Sequence, residues 1–176
     1  QAARISERLS IPAISTGDIF RANVSRGTEL GERARQYMDR GEYVPDSVTN
    51  AMVADRLTEA DAAQGFLLDG YPRTEAQVHE LDAMLADSGL ALDVVLEITA
   101  DAEVVVDRLL RRATEQNRAD DTEPVIRRRL EVYAEATAPL ASLYEDRGLL
   151  VRVDGTGDVD EVTERIMTAL ASRTTA

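Results

Sequence analysis

The sequence contains no cysteine and no lysine; all 20 of its basic residues are arginine. The first absence excludes disulfides and thiolate-bound metal, a cysteine-held zinc included. The second leaves no ammonium side chain to grip a phosphate, so cationic chemistry falls to guanidinium groups. Long apolar runs are also missing, and none approaches the ~18 residues that a membrane helix needs. No secretory leader is visible, so a soluble, cytoplasmic protein is the expectation. Positive charge is in deficit, with a net charge of −13. That repels polyanions and argues against nonspecific nucleic-acid binding, while leaving room for a nucleotide cleft in which clustered arginines dominate locally. The single histidine, His79, reads as a surface residue.

At 176 residues and 44% apolar content the chain suits one domain with a sizeable core. Short apolar runs alternate with amphipathic stretches, which predicts an α/β fold with a parallel sheet. Strands are expected at 11–14, 66–68, 94–98 and 149–153. Residues 1–9 read as the tail of a helix with Ile5 and Leu9 on one face. Residues 17–59 read as helical, broken at Gly27, Gly41 and Pro45, and Thr74–Ser88 as a helix ended by Gly89. Asp101 caps a further helix whose Val104 and Leu109 face inward, and residues 113–117 read as a loop. Helix resumes from Asp120 to about Arg147 with a kink or break at Pro139, and Asp158–Ser172 closes the chain.

The most informative stretch is Leu67-Leu68-Asp69-Gly70-Tyr71-Pro72-Arg73, with Gln77 four residues on. Asp69-Gly70 ends a buried strand and Pro72 forbids its continuation. A carboxylate and a guanidinium therefore emerge at the carboxyl end of a core strand, where open α/β sheets bind ligands. Arg73 can clamp a phosphate with a bidentate fork, and Asp69 can hold a hydrated Mg²⁺ through its water shell. The alternative is an Asp–Arg pair that ties off the strand. Asp120 and Asp121 read as capping and dipole-complementing residues at a helix start, rather than metal ligands.

Six segments occur in one order: S-T-G-D-I-F-R (15–21), Y-V-P-D (43–46), G-F-L-L-D-G-Y-P-R-T-E-A-Q (65–77), R-A-D-D-T (118–122), R-R-L-x-V-Y (128–133) and T-A-P-L (137–140). Together they resemble the adenylate kinase family of nucleoside monophosphate kinases, over nearly the whole chain. The resemblance implies a P-loop kinase-type parallel sheet flanked by helices, in a single domain spanning 1–176. It also implies a helical monophosphate-binding insert over 15–44 and a short lid over 112–118. It implies ATP and AMP as partners, Mg²⁺ entering with ATP, no zinc, no nucleic acid or membrane partner, and a monomer. Arg73, Arg112, Arg118 and Arg129 would be catalytic. Thr16, Arg21, Glu42, Tyr43, Val44, Gly70, Tyr71, Pro72, Arg73, Gln77, Arg118 and Arg129 would bind AMP, with Thr16 and Gln77 at the base. Arg112 and Gly157 would face ATP, and Asp69 its magnesium. Arg111, Arg127 and Arg128 are left to surface ion pairs. Asn117 stands where the short-lid branch usually has glycine, and tolerates a left-handed backbone better than most residues.

The family begins with a strand and a glycine-rich phosphate loop, whereas this sequence begins at Gln1, where that loop should just have ended. The expectation is a piece of a longer protein, without the first central strand. The rival readings are a UMP- or CMP-type kinase, which Gln77 and Thr16 weigh against, and a non-catalytic AMP-binding relative if the loop is truly absent.

Overall fold

The structure is a computed structural model that describes residues 1–118 and 120–174. Ala119, within the Arg118–Thr122 motif, lies outside the described residues, as do 175 and 176. Nine α-helices and four strands are found among those described. They are α1 (Ala2–Leu9), β1 (Ala13–Ser15), α2 (Thr16–Arg26), α3 (Glu29–Met38), α4 (Asp46–Leu57), β2 (Leu67–Asp69) and α5 (Glu75–Asp87). Then follow β3 (Val95–Thr99), α6 (Ala102–Glu115), α7 (Glu123–Val132), α8 (Leu140–Asp146), β4 (Leu150–Asp154) and α9 (Val159–Thr174).

The strands form two parallel pairs. β1 runs beside β2 with Ala13 opposite Leu67, and β3 beside β4 with Val95 opposite Leu150. Parallel pairing requires a crossover; α2–α4 supply it for the first pair and α6–α8 for the second. No strand pairing joins β2 to β3 among the described residues. One apolar cluster nevertheless spans both pairs: Leu67 of β2 and Leu96 of β3 pack against Ile5, Val153, Val162 and Ile166. Outer strands leave their side chains half covered, and Ile98 of β3 is 42% exposed. β1 begins later than the apolar run suggests, because Pro12 has no N–H to give a ladder; its carbonyl instead accepts the Leu67 N–H (2.9 Å).

The helical stretch before β2 breaks where expected. Gly27 and Gly41 have positive φ, and Pro45 precedes α4. α2 and α3 close over Phe20, Ala34 and Val44. Their contact is so tight that a Cβ on Gly31 would lie 2.3 Å from the Asn23 backbone. Asp101 caps α6 by accepting the Glu103 N–H (2.9 Å). That start turns Val106 inward, while Val104 is exposed, contrary to the sequence reading. Leu9 is exposed as well, so Ile5 is the one buried residue of α1. Residues 113–115 are not loop but the last turn of α6, since Ala113, Thr114 and Glu115 contain no breaker. The turn falls at Gln116–Asn117, where Asn117 adopts φ 49°. After α7, whose first turn accommodates Pro124, a π-helical turn spans Tyr133–Thr137 and Pro139 precedes α8. No described helix is long and apolar enough to cross a membrane.

Candidate active site

Ser15 ends β1, and its hydroxyl accepts the Asp18 N–H (3.3 Å), capping α2. The cap satisfies an amide that the helix leaves unpaired, and it fixes Thr16 and Asp18 at the carboxyl end of the β1–β2 pair. Thr16 is buried and donates its hydroxyl to the Gly70 carbonyl (3.0 Å). Gly70 follows β2 directly at φ 78°. A Cβ there would stand 2.8 Å from a terminal nitrogen of Arg73 and 3.1 Å from the Thr16 hydroxyl, so only glycine lets the arginine fold back. Arg73 Nε then donates to the Gly70 carbonyl (2.9 Å), and its guanidinium lies over the Tyr43 ring, 5.1 Å from the centroid. The Tyr43 hydroxyl meets that of Thr137 (2.6 Å), which donates to the Arg73 carbonyl (2.8 Å).

Four further arginines converge on carboxylates. Arg21 Nη2 donates to Asp18 (2.5 Å), and its other terminal nitrogen is 3.8 Å from Asp120. Arg118 lies 3.8 Å from Asp18. Arg129 bridges Asp120 (2.8 Å) and Asp121, and Arg112 donates to Asp121 (2.8 Å). The Asp121 side chain has no exposed surface. Burial pushes the Arg118 guanidinium below its usual range, helped by the charges of Arg21 and Arg112. Cations crowded enough to oppose one another's charge form a ready anion site. Arg112 Nε is buried with no hydrogen-bond partner, which leaves it a donor to spare.

A cleft of about 1420 Å³ runs from between the two strand pairs to these arginines, touching Leu68, Leu96, Thr16, Gln77, Arg118 and Arg129. That exceeds the ~300–1,000 Å³ of a single small-ligand pocket. Asp69 is exposed at its margin at the end of β2. Gln77 is buried at the start of α5, where Thr74 caps the helix by accepting the Gln77 N–H (3.2 Å). Glu42 and Pro72 also border the cleft, with the Glu42 carboxylate held by Arg128 (3.0 Å). Val44 is buried, and Tyr71 sits in the core with Val53 and Leu81, its hydroxyl donating to Asn50 (2.9 Å). Burial raises that phenol's pKa far above normal. Gly157 stands apart from this cleft: it lies in the turn after β4, with its carbonyl accepting from Arg108 (3.2 Å). Arg127 and Arg128 make surface ion pairs with Glu123, Glu103, Glu42 and Glu131, and His79 is exposed beside Glu75.

A family model described as adenylate kinase matches residues 1–149. The chain is 66% identical over 170 residues to an adenylate kinase of Kocuria rhizophila, covering 97% of this chain and 90% of that protein. It is 62% identical over 173 residues to one of Thermobifida fusca (98% and 92%) and 61% over 170 residues to one of a Nocardioides species (97% and 89%). The chain belongs to the adenylate kinase family.

In this chain, Asp120 and Asp121 do not play the capping role expected of them. Thr122, not either aspartate, precedes α7, and no side-chain cap bond forms there. Both carboxylates instead hold the arginines together. The signal was present in the Arg118–Thr122 motif, but the partners Arg112 and Arg129 come from different helices. Burial raises the Asp121 pKa, but the hydrogen bond from Arg112 and the charges of Arg112 and Arg129 outweigh it, so the carboxyl sits below its usual range. A folded value below the unfolded ~3.9 means that Asp121 contributes stability above about pH 4 and loses it as pH falls through the depressed value. Asp121→Asn is expected to lower the thermal midpoint at pH 7, by about 1–3 kcal/mol of stability. That is less than the ~3–5 kcal/mol for a fully buried pair, because both guanidiniums stay partly wet. Melts from pH 7 to pH 2.5 should show the gap between variant and parent closing at the acid end. A constant gap would mean that Asp121 is not charged in the folded state.

Proposed function

We propose that this chain carries out the phosphoryl transfer from MgATP to AMP, giving two ADP, with its arginine cluster on the phosphates and Gln77 on the acceptor's base. An oxygen of the AMP phosphate attacks the γ-phosphorus in line as the bond to the β,γ-bridging oxygen breaks. The attacking oxygen is already anionic, so the step needs no general base and no covalent enzyme intermediate. What remains for the protein is positioning and charge stabilisation. The observation that carries this reading is the meeting of Arg21, Arg112, Arg118 and Arg129 across Asp18, Asp120 and Asp121 at one end of the cleft. Phosphates entering there exchange with or join carboxylates that already hold the forks in place. Arg21 and Arg73 take the AMP phosphate, Arg118 and Arg129 the phosphates on the AMP side, and Arg112 those of ATP.

Asp69 fits the hydrated Mg²⁺ that accompanies ATP, which takes one or two carboxylates together with phosphate oxygens and water. When bound there, the ion would supply charge neutralisation to the phosphates. The rest of the proposal, a cytoplasmic monomer with residues 15–44 as the AMP-side insert and 112–118 as the lid, is supported by the family resemblance.

Gln77 tests the base end. Its amide has two donors and two acceptor sites, enough to hold its protein partners and still match adenine's ring nitrogen and amino group. Gln77→Ala leaves those base edges poorly matched, a cost on the order of 1–3 kcal/mol, so kcat/KM for AMP should fall roughly 10- to 100-fold. An unchanged kcat/KM would take Gln77 out of the site.

A further inference from the structure

Gln77 is 2% exposed, and its amide is gripped at both ends. Oε1 accepts the Arg73 backbone N–H at 2.7 Å, and Nε2 donates to Asp46 Oδ1 at 2.7 Å. Asp46 opens α4, and its other carboxylate oxygen accepts the Thr74 hydroxyl at 3.0 Å. A backbone N–H can only donate and a carboxylate can only accept, so the partners dictate which end is which. Turning the amide over would set Oε1 against a carboxylate and Nε2 against an N–H.

We infer that Asp46 is a positioning residue for base selection: by locking the Gln77 amide in one sense, it makes the site reject 6-oxo purine monophosphates. The inference rests on Gln77 reading the base. After its two protein bonds the amide keeps one N–H and one lone pair. Adenine offers the matching pair, a ring nitrogen that accepts beside an amino group that donates. Hypoxanthine and guanine present the reverse, a ring N–H beside a carbonyl, and only a turned amide could meet them. With Asp46 in place, such a base faces donor against donor and acceptor against acceptor, which is how a polar site discriminates strongly. Cytosine carries the same pattern as adenine, so this device does not exclude CMP. It separates amino from oxo bases.

The test compares kcat/KM for AMP and inosine monophosphate in the chain joined to a phosphate-loop strand, in four proteins: parent, Asp46→Ala, Asp46→Asn and Gln77→Ala. Asp46→Ala removes the acceptor and should raise the inosine-to-adenosine ratio at least tenfold. Asp46→Asn can present either an oxygen or an N–H to the amide, so it no longer dictates one sense and should raise the ratio to between those of the parent and the alanine variant. If the alanine variant does not fold, Asp46→Ser replaces it, being one atom too short to reach Nε2 yet suited to a helix start. A purely structural Asp46 would lower both substrates alike in the alanine or serine variant, and an unchanged ratio there, with a shifted ratio in Gln77→Ala, overturns the lock alone. Unchanged ratios in both Asp46 and Gln77 variants overturn the reading of Gln77 as the base contact.

Discussion

A chain carrying an apolar strand and a glycine-rich, lysine-bearing loop ahead of Gln1 is expected to melt cooperatively and to form ADP far faster than residues 1–176 alone. Among the described residues β2 pairs only with β1, and β3 only with β4. Each therefore offers a free edge, and the cleft reaches both, touching Leu68 and Leu96. A parallel strand entering there would bond to both edges and cover Leu67, Leu68, Leu96 and Ile98, which stand half covered or exposed. Each backbone group left without a partner in a desolvated place costs ~1–3 kcal/mol. A few such groups weigh heavily against a domain stability of ~5–15 kcal/mol. The loop would add amide donors and the ammonium that this sequence lacks, beside the Arg112 side. Removing a single such donor costs ~10²–10³ in other enzymes, so the two chains should differ at least ~10³-fold in ADP formation. Thermal melts and a coupled ADP assay run side by side decide it. Equal melts and equal rates would mean that the β2 and β3 edges are not where the sheet is completed.

Lysine replacements of Arg73, Arg118 and Arg129 should each cut turnover at least ~100-fold, scaled down from the ~10³–10⁵ of an arginine finger. They keep the charge but lose the planar fork. At Arg73 the change also removes the Nε bond to the Gly70 carbonyl that holds the guanidinium over Tyr43. At Arg129 a lysine can reach Asp120 or Asp121 but not span both, as the arginine does. Arg118 has the looser partner, with Asp18 at 3.8 Å, so its side chain is the freest of the three to follow a phosphate. Stability should move little, within about 3 °C of the parent midpoint, since one ion pair survives or the pairing was weak. Near-normal turnover of Arg129→Lys would make its contacts with Asp120 and Asp121 purely structural.

The stretch from Leu67 to Gln77 was legible because its chemistry is local. A strand end, a left-handed glycine and an arginine three residues later fix one another; the structure carries the strand through Asp69 and leaves it half covered rather than buried. The helix breaks at Gly27, Gly41 and Pro45 were legible for the same reason. What escaped was long-range. Asp121 looked like a helix-start residue, and nothing near it in sequence shows that α6 and α7 would each aim an arginine at it. Asp46 stood out only as the last residue of the Y-V-P-D motif, because its decisive partner, Gln77, lies 31 residues away. α6 runs to Glu115, into the expected loop, because a solvated last turn needs only helix formers and no breaker. Gly157 rests on the family resemblance alone; its carbonyl accepts from Arg108 in the turn after β4.

The two strand pairs occupy separate stretches of chain, one bond ladder joining 13–15 to 67–69 and the other 95–99 to 150–154. Neither interval contains the other, so neither pairing has to wait for its counterpart to form. Long loops closed before any ladder bond is gained make parallel pairing slow, but nested loops would compound that delay and these do not. The chain is thus laid out so that each ladder can close within its own stretch, and α1 meets α9 across the two stretches through Arg4 with Asp160 and Arg8 with Glu164.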